Sequence, residues 1–398
     1  SGPQMHRKMK NVVRAVAFSC VIQIIAAFGI PSSIHSIGNT RSSWLRHFVS
    51  SSKAHTLLKA SRQKIEMADH DVQGQNKIPV HIPVTSISRR EAFSKAASVL
   101  AFAAVATAGP FSTAAAPIQQ SPGSVVQLAN NGGSFPLASF GLQVYDDETA
   151  RKLTLIALEA GYRNFFSSVL AGNQRGFARA VKESGIPRQE LFICGSVVSN
   201  RAAGFDKARA ATTRGWKENM AAFAEGGIDY LDQIMLDYPG RDCDSIRGQW
   251  RAFEDMHALG LARSLAVSNF SPAQLDCVLT DPAATVRPVV NQLPFSVVFH
   301  PGGAAATIEE NRRRGVLVQA WAPLGGSVGG FPPKARATCA AVGAKYGKSA
   351  AQVALRWIVD SGASFATQTR KREHFAEDLA VFDFRLTPDE VRLLDSLA

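Results

Sequence analysis

Residues 230–239 read YLDQIMLDYP, and this stretch decides the fold class. Its first seven residues form a largely apolar run that follows a helix-like segment at 213–224. A run of this kind between helices predicts a strand buried on both faces, as in a parallel sheet. The last polar residue of the run, Asp237, stands where the strand ends. In a barrel of parallel strands this end opens to the active-site mouth.

The same alternation of helix and strand recurs along the chain. Strand-like runs at 191–194, 264–267 and 316–321 each follow a helix-like stretch, at 176–184, 250–259 and 307–314 respectively. The length of the segment 117–398 suits a (β/α)8 barrel, which typically needs about 250 residues. No G-x-G-x-x-G opens a helix after a strand, which disfavours a Rossmann domain. We therefore predict an α/β fold, a (β/α)8 TIM barrel, over residues 117–398.

The positive charge belongs to the beginning of the chain. The sequence has a net charge of +12, but residues 1–116 carry 14 of its 44 Lys and Arg and only 4 of its 32 Asp and Glu. The remainder is close to neutral. A basic patch on the folded part is therefore not expected, and we exclude nucleic acid as a partner.

Four cysteines lie in the predicted barrel, widely scattered: Cys194, Cys243, Cys277 and Cys339. There is no C-x-x-C and no histidine at metal-ligand spacing, so no metal site is expected. We expect isolated thiols that fill small core positions. A disulfide among them is the alternative, and the spacing does not say which two would pair.

Residues 1–116 are predicted to be a targeting leader of three units. A basic stretch and an interrupted apolar run at 16–30 suit a secretory signal over about 5–27, and the run is too short for a comfortable membrane span. Residues 28–87 are rich in serine and basic, with no acidic residue before Glu66. With a Phe at its head, this unit resembles the transit peptides of red-lineage algal plastids.

The third unit, 88–116, begins with a twin arginine at 89–90. An alanine-rich apolar run at 96–108 ends in Ala-x-Ala, which is typical of a twin-arginine signal. The order of the three units predicts a plastid protein of the thylakoid lumen, with no transmembrane segment after cleavage. Two alternatives remain: the arginine pair is an ordinary basic pair on a helix, or the run at 96–108 stays uncleaved as an anchor.

Several segments of the predicted barrel resemble the aldo-keto reductase family. The resemblance implies a barrel of aldo-keto reductase type, and it covers residues from about 128 to the end. The segments that carry it are FPLASFGLQ (135–143), EAGYRNF (159–165), GLARSLAVSNFSPAQL (260–275), RPVVNQ (287–292), GVLVQAWAPLGGS (315–327), KYGKSAAQVALRWIVDSG (345–362) and VFDFRLTPDEVRLLDSL (381–397).

The family's catalytic residues are absent at the matching positions. Its members transfer hydride from NADPH to a carbonyl, with a Tyr as general acid and a Lys, a His and an Asp around it. Those positions hold Ala171, Ser196, Asp237 and Phe166, in that order. A Tyr has an ordinary pKa near 10, so it needs a neighbouring cation to transfer protons near neutrality. The sequence therefore predicts no catalytic residues, and we expect Asp237 to be a solvated carboxylate at the mouth.

Cofactor-binding positions are only partly kept. Ser268, Asn269 and Gln292 match the residues that hold the nicotinamide carboxamide, and Trp321 stands where the family stacks a Tyr on the nicotinamide ring. Each could equally serve the fold, as a loop cap or a core filler. Pro323 and Leu324 complete the family's Tyr-Ser-Pro-Leu motif.

The phosphate end departs further from the family. Gln368 replaces the Lys that grips the 2′-phosphate, Thr369 follows it, and the downstream Arg and Asn positions hold His374 and Asp378. Loss of two cations removes strong charge-assisted contacts. Residues 370–372 are all basic. They are expected to form either a substitute basic patch for the phosphate or a face exposed to solvent. We expect no cofactor, with NADP(H) as the alternative.

The predicted function is that of a catalytically degenerate barrel, a binding or structural subunit or assembly partner on the lumenal face of a photosynthetic membrane complex. One alternative is a working oxidoreductase with a rearranged site, in which Tyr145, Tyr162 or Tyr238 acts as a displaced acid. Another is a small-molecule binding module for a pigment or lipid fragment. That module would use a pocket enlarged at positions 171 and 196 and made more apolar by Phe166.

Overall fold

A computed structural model describes residues 123–129 and 132–398. The predicted leader, residues 1–116, lies outside the described residues. The described chain begins with a two-stranded antiparallel hairpin, β1 (Val125–Gln127) and β2 (Ser134–Pro136).

Eight parallel strands then close into a barrel in sequence order, and the last strand pairs with the first. This confirms the predicted (β/α)8 fold. The strands are β3 (Ala138–Gly141), β4 (Asn164–Ser167), β5 (Phe192–Val197), β6 (Leu231–Asp237), β7 (Ala262–Ser268), β8 (Val290–Pro294), β9 (Leu317–Trp321) and β10 (Ser364–Thr367).

Helices follow each barrel strand and cover the outside. They are α1 (Asp147–Ala160), α2 (Gln174–Ser184), α3 (Phe205–Ala224), α4 (Cys243–Ala258), α5 (Pro272–Leu279), α6 (Ala304–Arg312), α7 (Pro333–Ala344), α8 (Ala350–Asp360), α9 (Arg372–Leu379) and α10 (Pro388–Asp395). The sequence predicted the carboxyl-terminal part of α3 and α4 but not their first turns. Those turns consist mostly of polar and small residues, which carry little apolar periodicity.

Strand β6 forms where the sequence predicts it, and all seven of its residues are buried. Its first polar residue, Asp232, has partners inside the protein. The carboxylate of Asp232 pairs with Arg188 at 2.7 Å and accepts the backbone N–H of Ile193 at 2.9 Å. Because a buried polar group without partners costs several kcal/mol, these contacts allow Asp232 to remain buried within the strand.

The cysteines divide into two kinds. Cys194 and Cys339 are buried thiols, as expected, and burial raises the pKa of each. Cys243 and Cys277 are instead joined in a disulfide with a Cα–Cα separation of 5.2 Å, so the expectation of four isolated thiols is wrong for this pair. Cys243 is the first residue of α4 and Cys277 lies in α5. Only the packing of these neighbouring helices brings the two together.

Within the described residues, no helix combines the length and apolar character needed to cross a membrane. The same part of the chain contains no group of three or more His, Cys, Asp or Glu side chains placed to hold a metal ion.

Candidate functional site

A cavity of about 480 Å³ opens at the carboxyl ends of the barrel strands. Residues at or just after the ends of every barrel strand except β5 line it, together with one residue of α8 and three of α9. This is the end at which barrels of this class carry their active sites. The cavity is therefore the candidate site.

The residues predicted to meet a nicotinamide cofactor all line this cavity. They come from four strand ends and from α9, which the sequence order does not bring together but the barrel does. They are Ser268, Asn269, Gln292, Trp321, Pro323, Leu324, Gln368, Thr369 and His374.

Of the four positions that match the family's catalytic residues, two line the cavity and two do not. Phe166, at the end of β4, and Asp237, at the end of β6, line the cavity. Ala171 and Ser196 are not among its lining residues, in contrast to the expectation that they enlarge it. Ser196 is fully buried on β5, where its Oγ accepts the backbone N–H of Val169 at 3.2 Å. The turn after β4 thus packs onto Ser196.

Asp237 is buried, with only 7% of its surface exposed. The expectation of a solvated carboxylate is therefore wrong, because β6 ends inside the mouth and not at its rim. Burial raises the pKa of Asp237 to about 6, and a hydrogen bond from Ser268 opposes the rise. The carboxyl group therefore loses its proton at a higher pH than an exposed aspartate does.

A chain of hydrogen bonds links Asp237 to the far wall of the cavity. The indole N–H of Trp321 donates to Oδ1 of Asn269 at 3.0 Å, and Nδ2 of Asn269 donates to Oγ of Ser268 at 2.9 Å. Ser268 in turn hydrogen-bonds the Asp237 carboxyl group. Ser268 and Asn269, which match the carboxamide-binding set, therefore form hydrogen bonds with Asp237 and Trp321, two of the residues that depart from the family.

Backbone strain is concentrated at the same place. Among the described residues, the non-glycine residues with positive φ are Tyr238 (71°), Asn269 (62°) and Ala322 (51°). Each directly follows a barrel strand, β6, β7 or β9, and each lines the cavity. Left-handed backbone at non-glycine residues costs energy and clusters at functional sites.

The part of the cavity that matches the phosphate end is closed by internal bonds. Nε2 of Gln368 donates to Oε1 of Gln143 at 2.6 Å, and Thr369 Oγ1 and His374 Nδ1 lie 3.1 Å apart. The basic residues just before and at the start of α9 point elsewhere. Arg370 stacks over the ring of Tyr145 and Arg372 pairs with Glu159.

Asp378, also on α9, is the second buried carboxyl group of the site. The hydroxyl of Tyr162 donates to it at 3.2 Å and lies 3.1 Å from Thr367 Oγ1. Burial raises the pKa of Asp378 to about 7, while hydrogen bonds from Thr367 and Tyr162 lower it. The sequence identified Asp378 only as a substitution in the phosphate site. In α9 the buried residues are Phe375 and Asp378, which lie three positions apart on the helix.

The tyrosines named as displaced acids differ in their access to the site. Tyr145 and Tyr162 are buried and are not among the lining residues. Burial raises the pKa of Tyr145 to about 12 and that of Tyr162 well above its ordinary value. Tyr238 lines the cavity, so it alone of the three can face a ligand there.

A second cavity of about 460 Å³ adjoins the first, and no sequence motif predicts it. It lies over the loops that follow β6, β7 and β8 and beside α6. Tyr238, Asn269 and Trp321 line both cavities and so form their common wall. Its existence depends on the gap between α5 and α6, which no motif encodes.

Comparison with known proteins agrees with this architecture. The sequence model of the Aldo/keto reductase family matches residues 135–398. The glyoxal reductase of Bacillus subtilis is 31% identical over 272 residues, which are 67% of this chain and 91% of the relative. An aldo-keto reductase of Mycolicibacterium smegmatis is 30% identical over 268 residues, 67% of this chain and 89% of the relative.

Among solved structures, an aldo/keto reductase from Brucella melitensis superposes with a TM-score of 0.60. It is 24% identical, and the match covers 69% of this chain and 99% of that one, so it shows the fold alone. An aldo-keto reductase enzyme from a Medee basin deep-sea metagenome library matches with the same TM-score at 25% identity, over 69% of this chain and 94% of that one.

Proposed function

The chain belongs to the aldo-keto reductase family, and from that premise we propose that it keeps the family's barrel and cavity but not its reaction, and acts by binding. One observation carries the proposal. The cavity lining of the described chain contains acidic side chains and one histidine but no Lys or Arg. The tyrosine-and-lysine pair that the family uses for proton transfer has no counterpart in this lining.

Each substitution at the positions that match the catalytic residues disfavours carbonyl reduction. Ala171 has no proton to give, and Ser196 has no positive charge to lower the pKa of a general acid. Asp237 brings negative charge to the place where an alkoxide would develop. Removal of one such group commonly costs a few kcal/mol of transition-state stabilisation, so loss of the set supports the absence of this route.

The residues present do not fit a 2′-phosphorylated dinucleotide. At the phosphate end, Gln368 and His374 take the places of Lys and Arg, and the neighbouring lining residues Glu377 and Asp378 are acidic. Buried negative charge beside a phosphate is unfavourable unless a cation intervenes. The carboxamide end keeps its residue types, but two of these residues hydrogen-bond to each other.

The proposed place of action is the thylakoid lumen, as a subunit or assembly partner of a photosynthetic membrane complex. The order of targeting units in the leader motivates this proposal. The disulfide between Cys243 and Cys277 supports it, because such bonds persist in oxidising compartments. Blue-native separation of thylakoids from the source organism tests it. Comigration with a large complex is expected, and migration only as the free chain would contradict the subunit role.

Binding of a small molecule is the second candidate, and the cavity itself favours it. A volume of about 480 Å³ lies in the range of ligand pockets. Val144 and Leu170, at its lining, are 62% and 64% exposed, so the mouth is apolar. Native mass spectrometry of the chain purified from its source is expected to reveal a retained ligand. A spectrum with the bare chain alone would count against this candidate.

Nucleotide affinity separates both candidates from a working reductase. Trp321 lines the cavity, so its fluorescence is expected to report a nucleotide that enters. Titration of the full-length chain with NADPH should give weak or no quenching, and a carbonyl panel should give no turnover. Tight binding with turnover would favour the alternative of an oxidoreductase with a rearranged site.

A further inference from the structure

Buried carboxylates in this barrel are of two kinds. Among the described residues, the buried acidic side chains are Asp232, Asp237, Glu254 and Asp378. Asp232 pairs with Arg188 at 2.7 Å, and Glu254 pairs with Arg251 at 3.2 Å. In the same part of the chain, Asp237 and Asp378 form no ion pair. Burial of a carboxylate without a cation is costly, so each of these groups either takes up a proton or is stabilised by a cation that reaches it.

The two unpaired carboxylates share one location. Asp237 and Asp378 both line the cavity at the carboxyl ends of the strands, whereas Asp232 and Glu254 do not. Glu377 adds a third acidic side chain to the same lining, which has no Lys or Arg among the described residues. The two buried carboxyl groups that have no ion pair therefore lie in the cavity, where a ligand can reach them.

Of the two, Asp237 has the greater need of a partner. Asp378 receives hydrogen bonds from both Tyr162 and Thr367. For Asp237, the described residues provide one side-chain hydrogen bond, from Ser268. A carboxylate with one hydrogen-bond donor in a largely apolar mouth has remaining acceptor capacity.

The cavity that Asp237 lines is also lined by aromatic side chains. Phe166, Tyr238 and Trp321 line the same cavity, on the strand ends of β4, β6 and β9. Aromatic faces attract organic cations by about 0.5–2 kcal/mol each, and they tolerate the apolar body of such a ligand. They offer nothing comparable to an anion.

We propose that this cavity binds an organic cation, an ammonium group carried on an apolar body, with Asp237 as its counter-ion. The proposal rests on the binding role inferred above and names the ligand class of that site. The ammonium group would lie against Asp237 among the three aromatic rings. The apolar body would extend toward Val144 and Leu170 at the mouth.

Three probes of nearly equal shape and different charge test this assignment on the full-length chain: benzylamine, benzyl alcohol and benzoate. Isothermal titration calorimetry at pH 7.5 is expected to give a Kd for benzylamine at least tenfold lower than for benzyl alcohol, and no measurable binding of benzoate. Asp237→Asn should raise the Kd of benzylamine tenfold or more. It should leave benzyl alcohol unchanged, because the cavity keeps its shape.

Asp229→Asn is the matched control. It removes one negative charge just before β6, from an exposed residue at the opposite end of the strand. It should leave all three affinities unchanged. Equal binding of benzylamine and benzyl alcohol, no binding of benzylamine, or an unchanged benzylamine Kd in Asp237→Asn would each overturn the proposal.

The same preparation is assayed for NADPH-dependent reduction of an aldehyde, which keeps the two inferences separate. If the chain does not prefer benzylamine and shows no turnover with NADPH, the organic-cation proposal is rejected and the binding role stands. Turnover with NADPH rejects the binding role, whatever the benzylamine result.

Discussion

Trp321 on β9 donates its indole N–H to Oδ1 of Asn269, which follows β7, at 3.0 Å. Nδ2 of Asn269 donates to Oγ of Ser268, and Ser268 hydrogen-bonds Asp237. A residue that replaces the family's stacking Tyr and one that replaces its His are thus joined through two residues of the cofactor set. Two of the substitutions in this site, Trp321 and Asp237, are therefore connected through hydrogen bonds.

The first prediction concerns the bond between Trp321 and Asn269. Trp321→Phe keeps a ring and removes the donor, so the free energy of unfolding should fall by about 1 kcal/mol, the net worth of a typical hydrogen bond. Asn269→Gly removes the acceptor and suits the left-handed backbone at this position. Urea unfolding of both single variants and the double variant should give a coupling energy of about 1 kcal/mol. Strict additivity would contradict the bond.

The second prediction concerns the charge of Asp237. Its pKa is raised from 3.8 to about 6 by burial, so the folded chain holds a proton that the unfolded chain has lost between about pH 4 and 6. Stability from this group therefore falls as pH rises through that window. Asp237→Asn should raise the free energy of unfolding by about 2–3 kcal/mol at pH 7.5. The gain should shrink below pH 6 and vanish near pH 4.

Other titrating groups share the site, so the comparison must be a difference between variant and parent at each pH. Cys194 lies close enough to Asp237 to interact with its charge, and His374, Glu377 and Asp378 line the same cavity. These groups are present in both proteins and cancel to first order. A variant that is less stable than the parent at pH 7.5 would show that the Asp237 carboxylate has a cationic partner within the chain.

The third prediction concerns the disulfide. It closes a segment with a sequence separation of 34, for which chain-entropy arguments give roughly 3–4 kcal/mol. A reductant should lower the free energy of unfolding of the parent by about this amount. The variant with Cys243→Ala and Cys277→Ala should already have lost it and should not respond. Equal responses of both proteins to the reductant would show that the bond does not contribute.

The fourth prediction concerns the phosphate end of the cavity. The parent should bind NADPH no more tightly than NADH, since the described residues of the lining include no Lys or Arg for the 2′-phosphate. Gln368→Lys with His374→Arg should favour NADPH by about tenfold or more, since charge-assisted hydrogen bonds are worth about 1.5–3 kcal/mol each. Affinity for NADH is the internal control and should not change. A parent that already prefers NADPH tenfold would contradict this account.

The sequence predicted the fold well because the fold depends on local patterns. The run at 230–236 and the segments that resemble the family each carry their own apolar pattern, and the barrel orders them as the chain does. The residues expected to meet a cofactor line one cavity, since strand ends such as Ser268 and Trp321 meet by topology.

Burial and pairing inside the site could not be predicted in the same way. Nothing local says that Asp237 lies inside the mouth, because its exposure depends on loops that are distant in sequence. The pairing of Cys243 with Cys277 depends on how α4 packs against α5. The turn that packs onto Ser196 likewise depends on a contact between consecutive strands and not on either strand alone.

A turnover measurement tests whether this barrel reduces carbonyl compounds. The full-length chain is mixed with NADPH and 4-nitrobenzaldehyde, and the loss of NADPH absorbance is followed against a protein-free control. The rate should be the same with and without protein. A saturable, protein-dependent rate that is abolished by Tyr238→Phe would contradict it, because the cavity would then contain a working general acid.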